Sequence, residues 1–289
     1  MLHLSKRENC MKTINIKGEL LELSQPIVMG ILNITPDSFF AESRKQGEQE
    51  VVARVAEILT QGGKIVDIGA QSTRPSSTLL SSKEEIERLK PALNIINKEF
   101  PDAILSVDTF YSDVARFCVE EYGVDIINDI SGGEMDKKMF DTVASLNVPY
   151  ILMHMRGTPQ TMSQLTDYDN LIQDIFYYFS KKIAELHLKG VNDIIIDPGF
   201  GFSKTIDQNY ELMASLKGFS IFELPLLVGI SRKKMIYNLI ESTAEESLNG
   251  TSILNTFALQ NGADILRVHD VKEALETIKI TEKLKGYSL

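Results

Sequence analysis

Three acidic or amide residues follow short apolar runs, and their donors and acceptors suit the recognition of a heterocycle. They are Asp108, Asn128 and Asp197. A carboxylate can accept two adjacent N–H groups at once, and an Asn amide can pair one donor with one acceptor. This combination suits the 2-amino-4-oxo-pyrimidine edge of a fused ring.

A second group of polar residues also follows apolar runs, and its chemistry suits phosphoryl oxygens. It contains Asn33, Arg74, Lys233, Arg267 and His269. Arginine and lysine bind phosphates directly, and we expect the four basic side chains to supply local positive charge. The planar guanidinium of Arg267 could also lie on the face of a flat heterocycle.

Each of these residues also has a purely structural interpretation. Asp and Asn at strand ends commonly cap the next helix, and capping is the favoured role for Asp129, as it is for Thr109. His154 is as compatible with a hydrogen-bonded structural residue as with a catalytic one. Polar groups at the end of nearly every apolar run nevertheless indicate one shared site.

Eight apolar runs alternate with segments of helical period. Runs that are apolar on both faces are typical of strands in a buried parallel sheet. The predicted strands are Ile27–Ile34, Lys64–Gly69, Ala103–Thr109, Asp125–Ile130, Pro149–Met155, Asp193–Asp197, Pro225–Ile230 and Ala263–Val268. The clearest predicted helices are Glu48–Gln61, Lys83–Phe100, Tyr168–Lys189 and Ser247–Asn261. Left-handed caps are expected after helices at Gly62-Gly63, Gly123, Asn147, Gly190 and Gly262.

Eight β-then-α units in 289 residues predict an α/β fold, a (β/α)8 TIM barrel, with an open doubly wound sheet as the alternative. The segment Lys12–Ser24, with a turn at Lys17-Gly18, predicts a β-hairpin that closes the bottom of the barrel. We expect a single domain over residues 1–289, in which residues 1–25 form an N-terminal extension and the hairpin. In such a barrel the polar strand ends would converge on one face.

The composition excludes several classes of partner. A net charge of −10 argues against nucleic acid or an anionic membrane surface. The two cysteines, Cys10 and Cys118, are too few for a disulfide framework or a zinc site, and Cys118 is expected to be a small buried hydrophobe. No apolar run approaches the length of a membrane span, and the charged N-terminal segment does not resemble a signal peptide, so a cytoplasmic location is expected.

The strand-end motifs, taken in order, resemble those of dihydropteroate synthase, a pterin-binding barrel enzyme of folate biosynthesis. The resemblance extends from about Pro26 to the final helix. Its motifs are Met29-Gly-Ile-Leu-Asn-Ile-Thr-Pro-Asp-Ser-Phe39, Ser72-Thr-Arg-Pro75, Ser106-Val-Asp-Thr109, Ile127-Asn-Asp-Ile130, Leu152-Met-His-Met-Arg-Gly157, Asp197-Pro-Gly-Phe-Gly-Phe202, Gly229-Ile-Ser-Arg-Lys233 and Arg267-Val-His269.

The resemblance implies a reaction and a set of site residues. The family condenses 6-hydroxymethyl-7,8-dihydropterin diphosphate with p-aminobenzoate and releases pyrophosphate and 7,8-dihydropteroate. The implied pterin contacts are Asp108, Asn128, Met153, Asp197, Lys233 and Arg267. The implied p-aminobenzoate contacts are Ser72, Thr73, Arg74, Pro75, Phe202 and Lys233. The implied catalytic residues are Asn33, Arg74, Lys233, Arg267 and His269. Of these, Asn33, Arg267 and His269 would contact the diphosphate.

The resemblance also implies a cofactor, a mechanism and a partner. Asn33 would help to bind Mg2+ on the diphosphate, a hard cation that prefers oxygen ligands and substrate phosphates. The aniline nitrogen of p-aminobenzoate is neutral at pH 7, so a strong general base is not needed, and a largely dissociative substitution without a covalent enzyme intermediate is expected. The family is typically homodimeric and is inhibited by sulfonamides, so both properties are expected here.

The sequence departs from the family pattern in its first two loops. Phe40-Ala-Glu-Ser-Arg44 replaces the usual Ser, Asp and glycine pair, and Ala70-Gln71 stands where glycine and glutamate are common. Lys234 replaces a serine and is expected to face solvent. These changes bear on how the loops close over p-aminobenzoate.

Three rival functions stay open at the level of sequence. A methyltetrahydrofolate-binding methyltransferase would share the pterin-binding Asp and Asn residues, but it would not need Thr35–Phe39 or Ser72–Pro75. A Schiff-base aldolase would use Lys233, although a loop position is expected to desolvate this lysine, and so lower its pKa, only weakly. A non-catalytic paralogue would bind the pterin diphosphate without releasing pyrophosphate.

Overall fold

The computed structural model describes residues 11–34, 44–71 and 78–287, and its central element is a closed sheet of eight parallel strands. Two short antiparallel strands, β1 (Thr13–Ile16) and β2 (Glu19–Glu22), precede it. The barrel strands are β3 (Ile27–Asn33), β4 (Ile65–Gly69), β5 (Ile104–Asp108), β6 (Ile126–Asp129), β7 (Tyr150–Met153), β8 (Ile194–Asp197), β9 (Leu227–Val228) and β10 (Ile265–Val268).

The strand order closes the barrel and excludes the open doubly wound sheet. Pairing runs from β8 through β7, β6, β5, β4 and β3 to β10 and β9. A parallel bridge between Ile196 and Leu226, with Ile196 N donating to Pro225 O at 2.9 Å, joins β8 to the start of β9. The (β/α)8 barrel predicted from the sequence is therefore confirmed.

Helices lie outside the strands in the expected alternation. They are α1 (Arg44–Thr60), α2 (Ser82–Glu99), α3 (Ser112–Tyr122), α4 (Met139–Leu146), α5 (Leu171–Leu188), α6 (Ile206–Ala214), α7 (Lys234–Tyr237), α8 (Leu248–Gln260) and α9 (Val271–Lys285). The four helices predicted most clearly are confirmed to within a few residues. The left-handed backbone expected beyond helix ends is present at Gly62, Gly123, Asn147, Gly190 and Gly262. No helix in the described ranges is long and apolar enough to cross a membrane.

One expected strand is much shorter than its apolar run. The run Pro225–Ile230 predicts six residues of strand, but only Leu227 and Val228 adopt it. The residues on either side remain buried in the core: Leu226 forms only the single bridge to Ile196, and Ile230 lies outside the ladder. An apolar run predicts that its residues are buried. The length of the strand depends instead on how far the neighbouring strands extend to pair with it.

The N-terminal hairpin covers the bottom of the barrel, as predicted. Ile14 and Leu23 join an apolar layer inside the strands, formed by Ile27, Met29, Ile65, Ile126, Ile151, Ile195, Leu227 and Ile265. Three polar contacts fasten the hairpin to loops at the same end: Lys12 with Asp264 at 2.7 Å, Lys17 with Asp125 at 2.7 Å, and Asn15 N with Asp193 Oδ1 at 2.8 Å. The bottom is therefore filled, and the opposite end of the barrel is left for a ligand.

Two leucine or isoleucine positions in the hairpin test whether its packing at the bottom of the barrel stabilises the fold. Ile14 is 1% exposed and Leu20, on the other strand of the same hairpin, is 65% exposed. Ile14→Ala is expected to lower the free energy of unfolding by about 2–4 kcal/mol, because it leaves a cavity in a packed layer. Leu20→Ala is the matched control and should change it by less than about 0.5 kcal/mol. Urea unfolding of both variants measures the difference, and equal stabilities would contradict this role of the hairpin.

Candidate active site

Strand register brings the predicted polar residues to one level at the top of the barrel. Asn33 pairs in register with Gly69, Gly69 with Asp108, and Asp108 with Asn128. Gly69 faces Asp108 closely, since a Cβ on Gly69 would lie 3.5 Å from the Asp108 Cβ, at ordinary van der Waals distance. On the far side, Met153 pairs with Asp197. The strand ends predicted to converge therefore do so.

Arg267 is held between two carboxylates, one of which was not predicted. Its Nε donates to Asp67 Oδ2 at 2.6 Å, and its Nη2 donates to Asp108 Oδ2 at 2.8 Å. Asp67 is fully buried and lies in the middle of β4. Asp67 was not predicted because only residues at strand ends were considered. A charged residue inside an apolar strand nevertheless indicates a buried ion pair, since a buried charge requires a partner.

Asp67 also orients the amide of Asn128. Asn128 Nδ2 donates to Asp67 Oδ2 at 3.1 Å, and only the amide nitrogen can donate to a carboxylate. The Asn128 Oδ1 is consequently the atom that remains to accept a ligand N–H. One buried carboxylate thus sets two of the predicted pterin contacts.

The charge of Asp108 depends on this cluster. Burial raises its pKa to about 7, the Arg267 guanidinium opposes the rise, and the nearby carboxylate of Asp67 adds to it. Burial acts to lower the pKa of Arg267, but the same two carboxylates together outweigh burial and raise this pKa, so the guanidinium stays protonated. The positive charge of Arg267 is therefore partly balanced by the carboxylates of Asp67 and Asp108.

Asp197 begins a glycine loop that curls over the site. Its Oδ1 accepts from Gly199 N at 2.8 Å, and burial raises its pKa while Lys233 opposes the rise. Gly199 has φ +73°, and a Cβ there would lie 2.1 Å from the His154 carbonyl oxygen. Only glycine fits this position. Gly201 N donates to Asn209 Oδ1 at 2.6 Å and ties the loop to α6.

Lys233 spans the mouth of the site beside this loop. Its Nζ donates to Phe200 O at 2.5 Å and lies 4.8 Å from the centroid of the Phe202 ring. Burial lowers the pKa of Lys233 to about 8, with Asp197 opposing. The expectation that desolvation would lower the pKa of this loop lysine only weakly is wrong, because the loop folds inward over the barrel. Lys234 is exposed, as predicted.

A buried lysine that sequence reasoning missed stabilises the glycine loop. Lys204 Nζ contacts Gly199 O at 2.9 Å, Phe202 O at 3.0 Å and His154 Nδ1 at 3.1 Å. Burial lowers the pKa of Lys204 to about 7. Burial and the neighbouring Lys204 hold the pKa of His154 well below its usual value. His154 is therefore a neutral, buried partner of this lysine, which favours the structural interpretation over the catalytic one.

Asp129 and Thr109 have structural roles, but the expectation that they cap the next helix is wrong. Loop residues intervene, so α3 has its N-cap at Tyr111 and α4 at Lys138, and neither N-cap makes a side-chain capping hydrogen bond. Asp129 is fully buried and accepts from Ser131 N at 2.7 Å, Gly133 N at 2.9 Å and the Tyr150 hydroxyl at 2.7 Å. Thr109 Oγ1 accepts from Tyr111 N at 3.2 Å. Both stabilise the loops that follow β6 and β5.

An apolar wall borders the polar ring. Met153 is buried in a cluster with Phe110, Ile130, Met155 and Met162, and Phe202 packs at its margin. Methionine and phenylalanine provide a surface on which a planar ring can pack.

The phosphate end of the predicted site is a cleft between β3, β10 and α1. Its lining includes Asn33, whose side chain is exposed, together with Arg54, His269 and Asp270. Ser231 Oγ lies 3.0 Å from His269 Nδ1 and accepts from His269 N at 3.2 Å. Burial and then Arg267 lower the pKa of His269 to about 4. The expectation that His269 adds positive charge is wrong at neutral pH, where it can only offer a hydrogen bond.

Part of the predicted site lies outside the described residues. This applies to Ser72, Thr73, Arg74 and Pro75, to Thr35–Phe39, and to the altered segment Phe40–Ser43. Near the second loop, Gln71 Oε1 accepts from Leu80 N at 3.0 Å, and the Tyr111 hydroxyl donates to Leu80 O at 2.7 Å. The altered Gln71 therefore fastens the chain where this loop returns to the barrel.

The described residues contain no cluster of three or more His, Cys, Asp or Glu that could hold a metal ion. Asn33 offers one exposed amide oxygen at the phosphate end. Mg2+ is commonly bound by one or two protein oxygens together with substrate phosphates and water, so this donor fits a metal that arrives with a diphosphate.

Comparison with known proteins assigns the family. The pterin-binding enzyme family matches residues 29–269. The chain is 38% identical over 268 residues to dihydropteroate synthase of Escherichia coli strain K12, covering 92% of this chain and 94% of that protein. It is 40% identical over 261 residues to dihydropteroate synthase of a Synechocystis strain, covering 89% of each.

Solved structures agree with this assignment. Yersinia pestis dihydropteroate synthase in complex with a sulfonamide drug matches with a TM-score of 0.87 and 36% identity, covering 96% of this chain and all of that one (100%). Xanthomonas albilineans dihydropteroate synthase with 4-aminobenzoic acid matches with a TM-score of 0.86 and 32% identity, covering 95% of this chain and 98% of that one. Fold, motif order and sequence identity agree, and the chain belongs to the dihydropteroate synthase family of pterin-binding enzymes.

Proposed function

We propose a Mg2+-assisted, largely dissociative substitution as the reaction of this chain. As a member of its family, the chain is a transferase of folate biosynthesis that condenses 6-hydroxymethyl-7,8-dihydropterin diphosphate with p-aminobenzoate. The observation that carries the mechanism is the division of the barrel top. Buried carboxylates and an oriented amide occupy one side, and the open cleft of Asn33 and His269 occupies the other.

The pterin ring would occupy the carboxylate side. Asp197 Oδ2 and Asn128 Oδ1 would accept ring N–H groups, since Asp197 Oδ1 already binds Gly199 N and Asn128 Nδ2 already binds Asp67. Asp108 completes this edge, and Met153 provides the apolar surface beneath the ring. The guanidinium of Arg267, held edge-on by its two carboxylates, offers its remaining surface to the ring or the phosphates.

Bond cleavage in this proposal needs stabilisation of the leaving group rather than a nucleophile from the protein. The bond from the exocyclic methylene to the diphosphate oxygen breaks, and its electron pair leaves with the diphosphate. The electron-rich dihydropterin tolerates the positive charge that develops, and the buried carboxylates nearby favour it. The neutral aniline nitrogen then forms the C–N bond and loses its proton to solvent.

Asn33 and His269 would hold the diphosphate, with Arg267 next to them. Because Ser231 accepts from the His269 backbone N–H, its own O–H is free to donate to His269 Nδ1, which leaves the proton on Nε2. A neutral histidine of this tautomer donates to a phosphoryl oxygen. Mg2+, when bound through Asn33 and the diphosphate, would neutralise charge on the departing group.

The p-aminobenzoate would lie against Phe202 and Lys233. Their contact, 4.8 Å from Nζ to the ring centroid, presents one apolar and one cationic surface at the mouth. The segment Ser72–Pro75, including Arg74, would complete this pocket, and sulfonamides would compete for it. The cytoplasmic location expected from the sequence stays a prediction.

Homodimerisation is also proposed, through the surface of the last helices. Large apolar side chains are exposed on α8 and α9, at Ile253, Phe257, Ile280 and Leu284, and in the turn after α7, at Leu239 and Ile240. Exposed apolar residues grouped on neighbouring helices are typical of subunit interfaces. Sedimentation velocity should give about twice the mass of the chain, and Phe257→Glu should shift it toward monomer. A monomeric wild-type chain would contradict this proposal.

The reaction is tested by measuring pyrophosphate release from the pterin diphosphate, with p-aminobenzoate and Mg2+ each present or withheld. We expect release that requires Mg2+, with dihydropteroate formed only when p-aminobenzoate is present. Tight binding of the pterin diphosphate without release would instead identify a non-catalytic paralogue. Trapping of a carbonyl substrate on Lys233 by borohydride would support the aldolase.

Asp67 provides a test of the pterin side. Asp67→Asn keeps the size of the side chain but removes the charge that pairs with Arg267. Removing one partner of a buried ion pair typically lowers the free energy of unfolding by about 3–5 kcal/mol, so the melting temperature should fall. Pterin affinity should also fall, at least about tenfold. Calorimetric titration with 6-hydroxymethylpterin and thermal unfolding measure both effects. Wild-type affinity for the pterin would show that Asp67 does not organise the site.

A further inference from the structure

We propose that Arg54 is a positioning residue for the phosphate end of the site. Its guanidinium bridges the C-terminal ends of β3 and β10 and so sets where Asn33 and His269 lie. The inference rests on the proposed function, in which these two residues hold the diphosphate.

Backbone pairing between β3 and β10 stops at the edge of the site. The last registered pair is Gly30 with Val268, and beyond it, among the described residues, no backbone hydrogen bond joins Ile31 O to the chain that follows β10. Above this pair, Ile31, Leu32 and Asn33 of β3 stay in register with β4 only. At the level of the cleft, therefore, backbone hydrogen bonds do not join β3 to the chain that follows β10.

The side chain of Arg54 joins the two chain segments at this level. Its Nε donates to Ile31 O at 3.2 Å, its Nη2 donates to His269 O at 2.5 Å, and its Nη1 pairs with Glu57 at 2.7 Å. One planar group thus binds a carbonyl on each of the two strands. The fixed fork of donors makes arginine suited to such a bridge, and lysine cannot reproduce it.

Close packing of α1 on β3 brings Arg54 within reach. Ile58 lies one helical turn after Arg54 and packs directly on Gly30, where a Cβ would sit 2.6 Å from the Ile58 Cγ2. Residues four apart share one face of a helix, so Arg54 meets the same strand nearer its end. The glycine at position 30 therefore lets an arginine on an outer helix reach the rim of the barrel.

The bridge acts on His269 from the side opposite to Ser231. Ser231 holds the backbone N–H and the ring Nδ1 of His269, and Arg54 holds its carbonyl. On β3, the carbonyl held by Arg54 belongs to Ile31, two residues before Asn33. Both proposed diphosphate contacts are therefore attached to one guanidinium, which also brings positive charge to the cleft wall.

Two substitutions separate positioning from simple charge. Arg54→Lys keeps the charge but cannot bridge both carbonyls, and Arg54→Met removes both. Arg116→Met is the matched control, because Arg116 lies on α3 and binds Glu120 and Ser145. The readouts are the dissociation constants of inorganic pyrophosphate with Mg2+ and of 6-hydroxymethylpterin, together with thermal unfolding.

Both Arg54 variants are expected to bind pyrophosphate at least about tenfold more weakly and the pterin within about twofold of wild type. The KM for the pterin diphosphate should rise, and the KM for p-aminobenzoate should not. Arg116→Met should match wild type in every respect. If Arg54→Met does not fold, Arg54→Lys alone decides.

Wild-type pyrophosphate affinity in Arg54→Lys would overturn the proposal, and so would an equal loss of both ligands. A wild-type chain that binds pyrophosphate but forms no dihydropteroate would contradict the proposed function alone, since the Arg54 comparison uses binding only. A wild-type chain that binds no pyrophosphate would overturn both.

Discussion

The buried charge of Asp67 is the constraint on which the arrangement of the site depends. A carboxylate in the middle of a fully buried strand is tolerated only with partners, and Arg267 and Asn128 are those partners. The bonds to Asp67 Oδ2 bring side chains of β10 and β6 to β4. Arg267 then reaches Asp108 at the top of the barrel. In the proposed reaction, the atoms that this network leaves without a partner would contact the pterin.

Filling of the barrel from below has a complementary effect. The hairpin residues Ile14 and Leu23 close the apolar layer at the bottom, so the polar strand ends have one open face. Around that face, side chains replace backbone pairing where the strands end unevenly. Lys204 ties the glycine loop to His154, and Arg54 ties β3 to β10. Long cationic side chains thus stabilise loops and seams that hydrogen bonds within the sheet do not reach.

Burial changes which basic residues carry charge. His269 has a pKa of about 4 and Lys233 a pKa of about 8, both lowered chiefly by desolvation. Arg267 remains a cation but is shared between two carboxylates. The positive field expected for the diphosphate therefore comes less from His269 than the residue types indicate, which gives Arg54 and a bound divalent cation more weight at that end.

The barrel, the hairpin and the polar ring could be predicted from the amino-acid sequence, because each depends on local pattern. Apolar runs of strand length, helical periodicity and polar strand ends are written in consecutive residues, so Asp108, Asn128, Asp197 and His269 could be placed on one rim. Tertiary structure alone decided the roles of Asp67, Lys204 and Arg54, and the protonation of His269. Those depend on which residues distant in sequence meet in a desolvated interior, where pairing and pKa are set by neighbours that no local pattern specifies.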